Sequence, residues 1–118
     1  MRIHVTYTGG TIGMVDSPRG LVPGADQESR FDAVLKEAGG SIGSISLTAL
    51  SPLIDSSDAA PESWQRIIDD LRAGASDADA FVVLHGTDTM THTCAALSYA
   101  LTDLGRPVVV TGSQLPLG

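Results

Sequence analysis

The sequence predicts an α/β fold built on a parallel, doubly wound (Rossmann-like) sheet, and two observations support this prediction. Residues 81–84 (Phe-Val-Val-Leu) form an apolar run without polar alternation, as expected of a strand that is covered on both faces. Strand-like runs also alternate with segments of helical spacing along the chain. At 118 residues the chain has the length of one domain, so residues 1–118 are interpreted as a single α/β domain.

Four segments are predicted to be the strands. They cover residues 2–8, 44–50, 81–84 and 108–110. The second of them alternates only weakly, and Pro107 precedes the last. Because helical segments separate the later strands, parallel pairing through right-handed crossovers is expected. The carboxyl ends of the strands then lie at one edge of the sheet.

Three segments with helical spacing of apolar residues are predicted to be the helices. They run from Phe31 to Ala38, from Pro61 to Gly74 and from about Thr91 to Leu104. Gly39 and Gly40 are expected to end the first helix, as C-terminal glycines do. Cys94 lies on the apolar stripe of the third helix, so it is predicted to be a buried small hydrophobic residue and not a reactive thiolate.

The segment between the first strand and the first helix is predicted to be a mobile loop. Residues 14–29 are rich in Gly, Pro, Asp and Ser and contain few apolar residues. The segment is also longer than a typical connection between a strand and a helix. It is expected to lie beside the functional site.

Composition and charge exclude several classes of partner. Fourteen acidic residues against seven basic ones give a net charge of -7, and the basic residues are scattered. Without a basic stripe, nucleic acid and anionic membrane surfaces are poor partners. No apolar run approaches the roughly 20 residues that span a bilayer. The N-terminus has no secretory signal and the single Cys94 cannot form an internal disulfide, so a cytoplasmic location is expected.

Hydroxyl-bearing residues follow all four predicted strands. These segments are Thr8–Thr11, Ser56–Ser57, Thr87–Thr89 and Thr111–Ser113. Open α/β sheets bind ligands at the carboxyl ends of their strands. Residues 85–89 (His-Gly-Thr-Asp-Thr), which follow the most apolar strand, are therefore the first place to expect chemistry.

Each polar segment has more than one interpretation. The carboxylate of Asp88 can hold a substrate amino group while the Thr87 hydroxyl positions water or passes a proton, whereas Thr89 is better interpreted as a helix cap. The turn at residues 8–13 displays the hydroxyl of Thr11, in either a structural or a catalytic role. It fits a dinucleotide-binding G-x-G-x-x-G pattern badly. No cluster of ligands accompanies His85 and His92, so no metal is predicted.

Two motifs together resemble the paired signatures of the bacterial L-asparaginase family. They are Tyr-Thr-Gly-Gly-Thr-Ile-Gly-Met at residues 7–14 and His-Gly-Thr-Asp-Thr-Met at residues 85–90. The segments at 52–64 and 110–114 resemble the cytoplasmic type I branch of that family. The resemblance covers nearly the whole chain, and it implies an incomplete N-terminal asparaginase domain whose C-terminal domain is absent.

The resemblance implies hydrolysis of L-asparagine to L-aspartate and ammonia through an acyl-enzyme on a threonine. By motif, Thr11 is the implied nucleophile and Thr87 the implied member of a Thr-Asp-Lys proton relay. Asp88, also among the implied catalytic residues, would hold the substrate's α-amino group. The pocket for its α-carboxylate and amino group would be lined by Asp55, Ser56 and Ser57. No cofactor is implied, and L-glutamine is an alternative substrate.

The chain departs from the family pattern in two places. Alignment of residues 20–23 with the motif of the family's flexible lid puts Leu21 where the lid usually carries a tyrosine, and the two tyrosines, Tyr7 and Tyr99, lie elsewhere. The relay's lysine lies beyond the matched region, and the one lysine here, Lys36, belongs to an early helix. Lys36 is therefore not assigned to the relay, and the residue that replaces the lid tyrosine is left open.

The resemblance also implies a homo-oligomer, a dimer or tetramer, at full length. A sheet that lacks later strands exposes an edge, which predicts self-association or association with a missing C-terminal segment. Three other functions stay open. They are a non-catalytic amino-acid-binding module, an amidotransferase component that supplies ammonia, and a nucleotide-binding module.

Overall fold

The computed structural model describes residues 1–38 and 43–117, and its main element is a parallel sheet. The six strands of the described chain are β1 (Arg2–Tyr7), β2 (Met14–Ser17), β3 (Gly20–Pro23), β4 (Ser44–Ala49), β5 (Ala80–Leu84) and β6 (Val108–Thr111). Four of them form the parallel sheet in the order β4-β1-β5-β6. The predicted parallel α/β fold is thereby confirmed.

The first strand lies inside the sheet, and its two faces are covered by different helices. The three α-helices in the described part of the chain are α1 (Gln27–Ala38), α2 (Pro61–Gly74) and α3 (Met90–Ala100). On one face the Tyr7 ring packs against Phe31 of α1, with centroids 4.8 Å apart. On the other face His4 contacts Asp70 of α2. Since side chains alternate along a strand, the sheet carries helices on both faces, as the doubly wound prediction requires.

The hydrophobic core lies between the sheet and the pair α2 and α3. Ile67 and Leu71 of α2 meet Phe81 and Val83 of β5, and all four are fully buried. Leu97 of α3 joins them. Each such side chain contributes roughly 1.5–3 kcal/mol by leaving water. The apolar run at 81–84 is a central strand, between β1 and β6, and it is fully buried on the face of Phe81 and Val83 but only partly buried on the face of Val82 and Leu84.

The predicted mobile loop is wrong in its secondary structure, because residues 14–23 form a hairpin. Strands β2 and β3 pair antiparallel, with Val15 opposite Val22. The Ser17 hydroxyl donates to the carbonyl of Gly20 at 2.7 Å and accepts the amide of Arg19, which closes the turn. Each strand has four residues, which is too short for a clear alternation of apolar and polar residues. The hairpin is indicated instead by the turn that the Ser17 hydroxyl closes.

Helix boundaries differ from the predictions at two places. The first helix begins at Gln27, four residues before the predicted start, because its first turn is polar and carries no apolar period. Its predicted glycine stop at residues 39 and 40 lies outside the described residues. The third helix ends at Ala100, before the predicted Leu104. The second helix, Pro61–Gly74, is confirmed.

Cys94 is exposed, so its predicted burial is wrong. The inward face of α3 runs instead through Thr93 and Leu97, which are both buried. One residue along a helix turns the side chain by about 100°, and this displaces Cys94 from the core. A polar residue takes the inward position because its hydroxyl has partners there, Trp64 and His85. None of the helices in the described part of the chain has both the length and the apolar character to cross a bilayer.

A polar network joins β1, β4 and α2 on the buried face of the sheet. His4 Nε2 lies 3.0 Å from Asp70 Oδ2, and His4 Nδ1 lies 2.8 Å from the Ser46 hydroxyl. The Thr6 hydroxyl also donates to Asp70. Burial by itself raises the pKa of Asp70, but the hydrogen bonds from His4 and Thr6, with the His4 charge and a contact from Thr48, outweigh it and lower the pKa below the usual 3.8.

Asp70→Asn is expected to lower the free energy of unfolding by about 1–3 kcal/mol near pH 6, since hydrogen bonds to a charged group are lost. A depressed folded-state pKa contributes stability that is present above the unfolded pKa and is lost as pH falls through the folded one. The gap between wild type and variant should therefore shrink below about pH 4. Urea unfolding across pH 3–7 measures it.

The matched control for this pH dependence is Asp69→Asn, at the neighbouring exposed position of α2. Asp69 accepts one hydrogen bond from Gln65, on the same helix. Its substitution should leave the pH dependence close to that of wild type. A gap for Asp70→Asn that stays constant down to pH 3 would contradict the assignment.

Candidate functional site

The candidate site lies where the connections from β1 and β5 leave the sheet in opposite directions. β1 connects to β4 on one side, whereas β5 connects to β6 on the other. Such a reversal opens a crevice at the carboxyl edge, where α/β sheets bind ligands. Gly10 and Gly86 face each other across it: a Cβ on Gly10 would lie 2.7 Å from the Gly86 Cα.

Backbone hydrogen bonds join the loops around this crevice. Buried Thr8 donates its amide and its hydroxyl to the carbonyl of Leu84, both at 2.9 Å. The Thr8 carbonyl accepts the amide of Ile54 at 2.7 Å. These hydrogen bonds hold together the ends of β1 and β5 and the loop after β4.

Thr11 begins a single 3-10 turn, Thr11–Gly13, directly after the two glycines. The turn is closed by the amide of Gly13, which donates to the carbonyl of Gly10 at 3.2 Å. Thr11 is partly buried and lines the crevice. The motif therefore places the Thr11 hydroxyl on a tight turn at the end of β1.

The loop after β4 contributes a carboxylate and a buried hydroxyl. Asp55 Oδ1 accepts the Ser57 hydroxyl at 2.7 Å and the Ser57 amide at 3.0 Å. These two hydrogen bonds lower the pKa of Asp55. Ser56 is buried, and its hydroxyl is so close to Gly86 that a Cβ there would collide with it. The carboxylate of Asp55 is therefore ionised and oriented at neutral pH.

The turn after β5 presents Thr87 and Asp88, and both residues are exposed. Thr89 stands at the N-cap of α3, but its hydroxyl makes no capping hydrogen bond. It donates instead to the carbonyl of Ser56 at 2.7 Å. The predicted capping role of the Thr89 side chain is therefore wrong, because the hydroxyl joins the two loops of the site.

One cavity of about 350 Å³ brings most of the predicted residues together. The predicted site residues among those that line it are Thr11, Asp55, Ser56, Thr87 and Asp88. Ser57 does not line it, because its side chain is turned to Asp55. Residues 111–113 end the neighbouring strand and do not line it either. Two carboxylates and three hydroxyls from three loops thus share one crevice, a set suited to a small ligand with an amino group.

His85 is buried beneath the site in a hydrogen-bonded chain. The Trp64 indole N–H donates to the Thr93 hydroxyl oxygen at 3.0 Å, and that hydroxyl lies 2.9 Å from His85 Nε2. His85 Nδ1 lies 2.6 Å from the carbonyl of Gly86. Because a carbonyl only accepts, Nδ1 donates to it, and Nε2 is the ring nitrogen that faces the Thr93 hydroxyl. Histidine here supports the turn, and no group of three metal-ligating side chains occurs among the described residues.

The structure shows where the residues of the two departures from the family pattern, Leu21 and Lys36, lie. Leu21 is 43% exposed on β3 and does not line the cavity. Lys36 lies on α1, where its amine pairs with Asp32 of the same helix at 2.6 Å. Tyr99 is exposed on α3. Among the described residues that line the cavity, none of these three is present.

Apart from glycines, five of the described residues that line the cavity were not singled out by the sequence. They are Tyr7, Met14, Pro23, Leu53 and Ile54. Tyr7 is the last residue of β1 and is 1% exposed. Its position at a strand end beside the glycine turn was a signal for a site residue. Met14 and Pro23 come to the cavity by way of the hairpin, which the sequence did not predict.

Comparison with known proteins gives a consistent result. The family described as "Asparaginase, N-terminal" matches residues 2–118. The chain is 48% identical to L-asparaginase 1 of Escherichia coli (strain K12) over 116 residues, covering 98% of this chain and 34% of that protein. It is 39% identical to a glutamyl-tRNA(Gln) amidotransferase component of Thermococcus kodakarensis, covering 95% of this chain and 26% of that one.

A solved structure agrees with the sequence relatives. The chain superposes on L-asparaginase I from Vibrio cholerae with a TM-score of 0.89 and 42% identity, covering 99% of this chain and 35% of that one. The chain therefore spans about a third of the length of the two L-asparaginases that it matches. The similarity extends over all the loops that form the cavity.

Proposed function

Because the chain belongs to the asparaginase N-terminal domain family, we propose that it supplies the nucleophile and the amino-acid pocket of an L-asparaginase-type amidohydrolase. One observation carries the proposal: the hydroxyl of Thr11 and the carboxylates of Asp55 and Asp88 share a single cavity. The similarity to two L-asparaginases supports asparagine as the substrate. The expected location is cytoplasmic, and the expected full-length state is a homo-oligomer, a dimer or tetramer.

The proposed reaction has two steps. The Thr11 hydroxyl oxygen attacks the side-chain amide carbon of asparagine, and the C–N bond breaks as the leaving NH2 group takes up the hydroxyl proton and departs as ammonia. Water then attacks the resulting ester, which releases aspartate and restores the hydroxyl. A threonine hydroxyl needs a base for this attack. The titratable groups that line the cavity within the described residues are Tyr7, Asp55 and Asp88, and Thr87 is proposed to pass the proton to a relay.

The substrate's α-amino and α-carboxylate groups fix its orientation in this scheme. The Asp88 carboxylate binds the ammonium, and Asp55, whose carboxylate is held by Ser57, adds a second negative charge to the same cavity. The Ser56 hydroxyl is proposed to donate to the α-carboxylate. Ser57 acts through Asp55, since its own hydroxyl is engaged. A side-chain amide held in this way can face Thr11.

The proposed function is tested by ammonia release from L-asparagine and L-glutamine, with intact-mass analysis of the quenched reaction. Turnover with a covalent adduct of one aspartyl group, mapped to residues 8–15, is expected. Turnover without any adduct would contradict the acyl-enzyme step. No turnover at natural full length, combined with calorimetric binding of aspartate, would favour the non-catalytic binding module.

Asp88→Asn is expected to lower kcat/KM for L-asparagine by about 10–100-fold, mainly through KM. The reason is that a hydrogen bond between two charged groups becomes one to a neutral amide, a loss of about 1.5–3 kcal/mol. Steady-state kinetics measures it. Asp58→Asn removes the same charge from an exposed residue of the adjacent turn that does not line the cavity, and it should change KM by less than about twofold. Equal effects of the two variants would argue against direct contact.

An ammonia-supplying amidotransferase component is the second candidate. The 39% identity to a component of a glutamyl-tRNA(Gln) amidotransferase favours it. The net charge of -7 opposes direct contact with tRNA, so another component would have to bind the nucleic acid. Stimulation of ammonia release by such a component with charged tRNA would support this function, whereas full turnover of the isolated protein would favour the asparaginase.

A further inference from the structure

Two side chains of α1 donate hydrogen bonds to the turn that carries Thr11. Its last carbonyl, that of Gly13, accepts the Gln27 side-chain amide at 2.7 Å and the Arg30 guanidinium at 3.0 Å. The same carbonyl accepts the amide of Gly24 at 3.2 Å. Three donors from two segments thus converge on a single oxygen, two residues after Thr11.

Each side chain also binds a second segment. The Gln27 amide donates to the carbonyl of Gly24 at 2.8 Å, just after the β2–β3 hairpin. The Arg30 guanidinium donates to the carbonyl of Leu117 at 3.1 Å, and the Leu117 amide donates to the carbonyl of Ile12 at 2.9 Å. Gln27 and Arg30 therefore link the Thr11 turn to the end of the hairpin and to the segment after β6.

Tyr7 closes the arrangement on the cavity side. Its hydroxyl lies 3.3 Å from the carbonyl of Gly10. A Cβ on Gly13 would collide with this hydroxyl and would lie 2.7 Å from Gln27 Oε1. The two oxygens therefore flank the end of the turn. Burial raises the pKa of Tyr7, against the opposing charge of Arg30, so the hydroxyl stays protonated and can donate.

Gln27 holds the turn at some cost in stability. The residue is 8% exposed, and its Oε1 is buried without a hydrogen-bond partner among the described residues. A buried acceptor without a donor costs about twice what one hydrogen bond contributes. The stability that Gln27 gains from its two hydrogen bonds is then nearly cancelled by the cost of burying its unpaired Oε1. The side chain is better explained by the position that it gives to the backbone than by the stability that it adds.

We propose that Gln27, together with Arg30, is a positioning residue that sets the place of the Thr11 hydroxyl and couples it to the β2–β3 hairpin. This inference rests on the proposed function, because it assigns the placed hydroxyl to the reaction. The hairpin contributes Met14 and Pro23 to the cavity wall. A movement of the hairpin end would therefore reach the Thr11 turn through the carbonyls of Gly24 and Gly13.

The test compares Gln27→Met with Gln65→Met in the protein at its natural full length. Both substitutions remove one carboxamide, but Gln65 is exposed on α2 and binds only Asp69 among the described residues. Gln27→Met should lower kcat for ammonia release by about 10–100-fold, since a misplacement of about 1 Å can have that effect. KM and the melting temperature should stay close to those of Gln65→Met.

A second measurement separates this inference from the proposed function. Hydrogen exchange of the backbone amides of Gly13 and Gly24, followed by mass spectrometry, should be at least about tenfold faster in Gln27→Met, because the two segments lose the side chain that joins them. Exchange in β5 should be unchanged. If the wild-type protein releases no ammonia, the proposed function fails, and the exchange rates alone decide whether Gln27 holds the turn.

Arg30→Lys provides an independent variant, since lysine keeps the charge but cannot bridge the carbonyls of Gly13 and Leu117 as a planar fork does. A smaller fall in kcat, about 3–10-fold, is expected. The inference is overturned if Gln27→Met and Gln65→Met have equal kcat and exchange rates. It is also overturned if the loss of kcat is matched by faster exchange throughout the sheet.

Discussion

Replacing Thr11 by alanine is expected to lower kcat for ammonia release from L-asparagine by at least about 10⁴-fold. Loss of the nucleophile of a hydrolase removes a covalent step that no other group replaces, and losses of about 10⁶-fold are typical. Thr11 lies partly buried on a 3-10 turn and lines the cavity without belonging to the core. Its methyl and hydroxyl groups therefore contribute little to stability. The melting temperature of the variant should stay within a few degrees of wild type.

Two further variants make the Thr11 result specific. Thr102→Ala removes the same atoms from an exposed position after α3 and should leave kcat unchanged. Thr11→Ser keeps the hydroxyl and should retain part of the activity. Calorimetry should show aspartate binding to Thr11→Ala with a Kd within about threefold of wild type, because the groups proposed to hold it are intact. Undiminished turnover by Thr11→Ala would assign the nucleophile to another residue.

The parts of the fold that depend on local pattern could be predicted from the sequence. The run at 81–84 was correctly predicted to be a strand of the sheet, and α2 and α3 bury Phe81 and Val83 on one face, whereas Val82 and Leu84 on the other face are only partly buried. The second helix has a proline at its first turn and an apolar face through Ile67 and Leu71, so both of its ends were predicted correctly. Periodicity succeeds where burial decides the residue type.

Features that depend on distant partners could not be predicted. Cys94 and Thr93 are both compatible with the inward face of a helix, and the hydroxyl of Thr93 takes it because Trp64 and His85 lie there. The hairpin at residues 14–23 depends on a serine hydroxyl that closes the turn, which an apolar pattern does not record. Gln27 lies in a polar stretch that has no period, although it is buried.

The candidate site shows the same division. The rule that strand ends carry ligands places Thr11, Asp55, Thr87 and Asp88 at one edge from the sequence alone, and these residues share the cavity. The rule does not say which side chains at that edge face inward. Ser57 turns to Asp55 instead of the cavity because a hydroxyl two residues after a carboxylate readily caps it.

Gly10→Ala is expected to lower the free energy of unfolding by about 3 kcal/mol or more and to reduce activity by at least about 10²-fold. Gly10 has φ +93° and ψ 172°, a backbone region that is almost confined to glycine and costs other residues about 1–3 kcal/mol. Its added Cβ would lie 2.7 Å from the Cα and 2.8 Å from the amide of Gly86. Both are backbone atoms, so the two loops of the site must move apart.

Gly20→Ala separates backbone strain from the collision of the two loops. Gly20 also has φ +93°, but among the described residues no atom lies within 4 Å of the position that its Cβ would take. The Gly20→Ala variant should lose about 1–2 kcal/mol of unfolding free energy through backbone strain. It should retain most activity, because the hairpin turn lies outside the cavity. Denaturant unfolding and steady-state kinetics of both variants measure the difference. If Gly10→Ala resembles Gly20→Ala in both respects, close contact between the Gly10 and Gly86 turns is not what shapes the site. A larger loss for Gly10→Ala, concentrated in kcat, would show that the Thr11 hydroxyl works only when the ends of β1 and β5 touch.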